Sequence, residues 1–89
     1  MHHARKRIVN HRTATVFQIR ELMLDWGIAI DVAVSRVRRA VPLILEDAEN
    51  GFSVRMRSTI AALYDIFNGL GRRINFFDKE IDVNPLGTG

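Results

Sequence analysis

Between Met56 and Ile81 the apolar residues recur without a miss: Met56, Ile60, Leu63, Phe67, Leu70, Ile74, Phe77 and Ile81 step by 4, 3, 4, 3, 4, 3 and 4. A strand would scatter these side chains over both faces, whereas a helix gathers all of them into one stripe. The run predicts a heptad helix over 54–82, with Ser53 as its N-cap and a stripe about 39 Å long at 1.5 Å per residue. So long a stripe must be covered by another helix. The chain is therefore expected to be all-α, with long helices forming a hairpin or open bundle whose seam pairs within or between chains. Gly69 and Gly71 flank Leu70, and each costs about 1 kcal/mol relative to alanine in a helix interior. They are expected to admit a neighbouring backbone. With the bulky Phe67 and Phe77, they argue against a regular two-stranded coiled coil.

The first segment, 1–27, reads as a basic helix. Val9, Arg12, Val16, Ile19, Met23 and Trp26 fall on one stripe, and Gly27 supplies a stop signal. Arg12 is the charge on that stripe, and its stem is expected to carry its head out to solvent. A connector with short helices is expected over 28–53. Ile28–Asp31 reads as extended, and Asp31 or Ser35 as the cap of a helix carrying Val34, Val37, Arg38 and Val41 on one side. Pro42 is expected to break that helix, leaving Leu43–Glu49 as a second short piece. The acidic group Glu46, Asp47 and Glu49 then sits at the end disfavoured by the helix dipole, to be compensated by the basic first helix or by a partner. The tail 83–89, with Pro85, Gly87 and Gly89, is expected to be disordered.

Charge narrows the partners. Of 13 basic residues, eleven are arginine, against 10 acidic ones. Arg5, Lys6, Arg7, Arg12 and Arg20 all precede the first acidic residue, Glu21. Clustered guanidiniums suit phosphate, so these five, with Arg36, Arg38 and Arg39 behind them, are the candidate nucleic-acid contacts.

The chemistry of a complete enzyme is not visible. With no cysteine, neither disulfides nor thiolate-held zinc are available. His2, His3 and His11 lack metal-ligand spacing, so no metal and no cofactor is expected. Ser35, Ser53 and Ser58 read as caps or solvated helix positions rather than nucleophiles. A small helical mutase would need several cations converging on a pocket, and the pattern shows no convergence and no small-molecule substrate site. No apolar run is long enough to cross a membrane, and the start lacks the apolar core of a signal peptide, so the expected compartment is cytoplasmic.

Three stretches carry a family resemblance: Arg12-Thr13-Ala14, then Gln18-Ile19-Arg20 running on to Trp26-Gly27-Ile28, and Leu45-Glu46-Asp47-Ala48-Glu49-Asn50-Gly51 before the long helix. Over about residues 2–82 the chain resembles the central region of insertion-sequence transposases of the IS one-ten type. His3, Phe17 and Trp26 depart from that group's usual arginine, polar residue and phenylalanine. The resemblance implies a helical, coiled-coil-containing segment between a nuclease-like domain with a DEDD acidic set and a domain with a catalytic serine, in a recombinase guided by structured RNA. It implies proximity to DNA and RNA and a role in subunit assembly. On this reading the chain is a transposase fragment, truncated at both ends and not an enzyme by itself. The alternative is a helical dimerisation module, a homo-oligomer or one half of a helix pair, with no nucleic-acid role.

Overall fold

The computed structural model describes residues 2–47 and 51–83, with side chains over 4–47 and 51–79. These residues form three helices: α1 (His2–Asp25), α2 (Val34–Glu46) and α3 (Val54–Val83). No strand occurs among the described residues, so the architecture is all-α, as the heptad run requires.

α1 and α3 form an antiparallel hairpin. Arg5, near the start of α1, reaches Asp78, near the end of α3. At the other end Trp26 packs edge-to-face on Phe52, with centroids 5.3 Å apart. The heptad stripe faces inward: Met56, Ile60, Phe67, Leu70 and Ile74 are buried, with Leu63 and Phe77 partly covered. Its pairing is thus within the chain. The Ile81 side chain lies outside the described residues. From α1 the stripe meets Val16, Ile19 and Met23, as the spacing anticipates, together with Ile8 and Thr15, which the stripe omits. Buried Thr15 is satisfied because its hydroxyl donates to the His11 carbonyl at 2.9 Å.

α2 turns one end of the hairpin into a three-helix bundle. Its fully buried Val37 and Val41 complete a core with Val16, Ile19, Met23, Phe52, Met56, Ile60 and Phe67. The other end is a two-helix zipper in which, among the described residues, Ile8, Leu70 and Ile74 are buried, with Val9 and Phe77 beside them. Arg38 lies by Phe67 and Gly71, and Leu45 by Arg57. α2 therefore runs antiparallel to α3 and parallel to α1. The connector 26–33 must carry the chain back along the hairpin, which demands extended backbone, and eight residues at about 3.3 Å each reach about 26 Å. Ile28 and Ile30 pack on the core while Ala29 and Asp31 stay exposed, the alternation of an extended segment.

Several local expectations change. α1 stops as the sequence predicts: Gly27 has φ 78°. The Ile28 N–H donates to the Met23 carbonyl at 3.0 Å and the Gly27 N–H to that of Leu24 at 2.9 Å, the paired bonds of a Schellman cap. The Ser53 cap also forms, its hydroxyl accepting from the Met56 N–H at 3.1 Å. Neither Asp31 nor Ser35 caps α2. Ala33 holds the N-cap position with no side-chain bond, while Asp31 Oδ1 accepts from the Ala33 N–H just upstream.

Pro42 does not break the helix either, since α2 continues through it to Glu46. Proline removes one N–H, and the carbonyl four residues back loses its helical donor. That carbonyl belongs to Arg38, and the Tyr64 hydroxyl of α3 donates to it at 3.0 Å. The expected second short helix is accordingly absent as a separate piece. Glu49 and the tail beyond Val83 lie outside the described residues.

Candidate nucleic-acid interface

The hairpin brings arginines from different helices together. Arg5 Nε donates to Asp78 Oδ1 at 2.8 Å, tying α1 to α3. Hydrogen bonding to that carboxylate, then its charge, raises the Arg5 guanidinium above its ordinary value, and burial acts weakly the other way. Arg12 is opposite in sense. Its guanidinium is pushed below the ordinary value by burial first, then by the charges of Arg38 and Arg5, with Asp78 in partial opposition. Three guanidiniums thus share one electrostatic neighbourhood with one carboxylate.

Arg38 joins this group because α2 lies along α3. Its guanidinium carbon stands 5.7 Å from the centroid of the buried Phe67 ring, within cation–π range. A Cβ added at Gly71 would lie 3.4 Å from Arg38 Nη2. The space that Gly71 leaves is therefore taken by an arginine head, not by a neighbouring backbone as expected. At Gly69 the nearest atom is Arg72 Nη2 at 3.7 Å. Arg12 also differs from expectation: its head stays partly covered among like charges instead of running free to solvent. Convergence of Arg12 with Arg38 is a tertiary fact that the linear pattern did not contain.

The remaining basic candidates are dispersed. Lys6 and Arg7 are exposed on α1, Arg20 is half-buried there, and Arg36 and Arg39 are exposed on α2. The acidic end of α2 is met by a residue not anticipated. The Arg57 guanidinium of α3 donates to the Leu45 and Asp47 carbonyls at 2.7 Å each, so the end of α2 is compensated by α3 rather than by α1. Among the described residues no group of His, Cys, Asp or Glu could hold a metal ion, and no helix is long and apolar enough to cross a membrane.

Sequence reasoning also missed a second basic region. Arg72, Arg73 and His11 border an open groove of about 740 Å³ with Phe76 and Phe77. The signal was present as Arg72-Arg73 one helical turn before Phe76-Phe77, outside the strict heptad apart from Phe77.

No protein-family model and no solved structure matches the chain. Over 77 residues, 86% of its length, it is 29% identical to the transposase for insertion sequence element IS1111A of Coxiella burnetii (strain RSA 493 / Nine Mile phase I). The matched stretch is 21% of that protein, so the chain is similar to a transposase of which it spans about a fifth.

Proposed function

We propose that this chain is the helical middle segment of a transposase of the IS one-ten type, contacting nucleic acid through phosphate and carrying out no bond-breaking step itself. The observation that carries the reading is the 77-residue likeness to an insertion-sequence transposase. The arginine geometry supports it. Arg12 is partly covered beside Arg5 and Arg38, and the Asp78 carboxylate offsets only part of their mutual repulsion, so a further anion would be favoured there. A guanidinium offers a planar fork to two phosphate oxygens, so spaced arginines can follow a sugar–phosphate backbone. Arg5, Arg12 and Arg38 form the centre of this contact, with Lys6, Arg7, Arg20, Arg36 and Arg39 around it. DNA or structured RNA serves this chemistry equally.

The test is a titration of duplex DNA and of a hairpin RNA across salt. Each phosphate contact steepens the log–log slope by about 0.9 on B-DNA. Arg12→Gln with Arg38→Gln is expected to make the slope shallower by about 2, and Arg12→Gln alone to hold or raise the melting temperature. Affinity indifferent to salt overturns the reading, as does a collapse in stability on Arg12→Gln.

A second reading, association without nucleic acid, is favoured by Leu43 and Val54, which stay 65% and 82% exposed. Because the heptad stripe is covered within the chain, association of this kind would use those surfaces. Sedimentation with and without RNA separates the two readings.

A further inference from the structure

We propose that the groove at the two-helix end is a stacking site for an unpaired base of single-stranded nucleic acid, with Phe76 as its platform. Phe76 is a large apolar ring off the heptad stripe, 60% exposed on α3. Its ring is held by Phe77 at 5.9 Å and 73°, edge-to-face, so it is positioned rather than free. Leu70 and Gly69 contribute to the same open groove. The absent side chain at Gly69 leaves nothing nearer than Arg72 Nη2 to obstruct a flat ligand.

The groove's charge selects the occupant. Arg72, Arg73 and His11 line it, and no acidic side chain does. Neither arginine makes an ion pair with a carboxylate among the described residues. Arg72 and Arg73 stand four and three residues before Phe76, close enough on a helix surface to grip the phosphates flanking a base on that ring. An apolar helix would fill the groove but leave both guanidiniums unpaired. A duplex would offer phosphates but no open base face. A single strand supplies both, and stacking on an aromatic side chain with arginine beside it is tolerant of base identity.

The site is lined by residues other than Arg5, Arg12 and Arg38 but rests on the nucleic-acid reading above. The experiment measures binding of a short labelled oligothymidylate, and of an abasic strand of equal length, by anisotropy. Phe76→Ala is expected to weaken the base-bearing strand about 5- to 150-fold and to leave the abasic strand unchanged. Phe76→Tyr should retain affinity, and the thermal melt of each variant reports its fold. Unchanged affinity in Phe76→Ala overturns the site, as does an equal loss for the abasic strand. An oligoglutamate that loses affinity as the oligonucleotide does reassigns the groove to acidic peptide. A change in sedimenting mass on Phe76→Ala reassigns it to a second copy of the chain. If the protein binds neither strand at any salt, the nucleic-acid reading falls with the groove. Binding weakened by the Arg12 and Arg38 substitutions but not by Phe76→Ala removes the groove alone.

Discussion

Gly27 shows how far one residue can be read in advance. Its place after the last turn of an apolar stripe marks a stop, and its φ of 78° confirms the left-handed cap. A Cβ there would meet nothing within 4 Å, so substitution is penalised by backbone conformation alone. Gly27→Ala is expected to lower stability by about 1–2 kcal/mol in urea unfolding, and a change near zero would show that the cap can re-form without glycine. Arg12 marks the opposite limit. Its position on the stripe was legible, but the fate of its head was not, because that depends on where α2 lies. Spacing along one helix carries no information about a charge arriving from another.

At the scale of elements, α3 was legible from one period and α2 was not. Eight matches to a heptad overdetermine a helix, whereas Pro42 in a short one divides local propensity from tertiary support. Support prevails here because Tyr64 satisfies the Arg38 carbonyl that the proline orphans. This predicts a coupling. Tyr64→Phe should cost about 1 kcal/mol with Pro42 present and less in the Pro42→Ala background, where the helix supplies its own donor. A double-mutant cycle by chemical denaturation measures it, and additive effects would show that the hydroxyl does not compensate for the proline. The Arg57 bonds to the Leu45 and Asp47 carbonyls were equally hidden. They join residues ten and twelve apart across a turn, a distance that periodicity does not address.

The whole molecule is a rod, 53 Å long and 20 Å in each other direction, with a radius of gyration of 15.8 Å against about 12 Å for a compact chain of this length. Its ends are unequal. Among the described residues, nine buried apolar side chains lie at the three-helix end and three at the two-helix end, so local opening should cost less at the latter. Amide hydrogen exchange is expected to be slowest around Ile19 and Ile60 and faster around Ile8 and Ile74; uniform protection along α3 would contradict a two-part rod. The exposed edge of that weaker end carries the Arg5–Asp78 bridge and the groove beside Phe76. The molecule is thus built like a tuning fork, with its joined base under α2 and its tines at Arg5 and Asp78. Whatever grips the tines damps them. The exchange clock of a few amides near Ile74 would then register occupancy with no label on either partner.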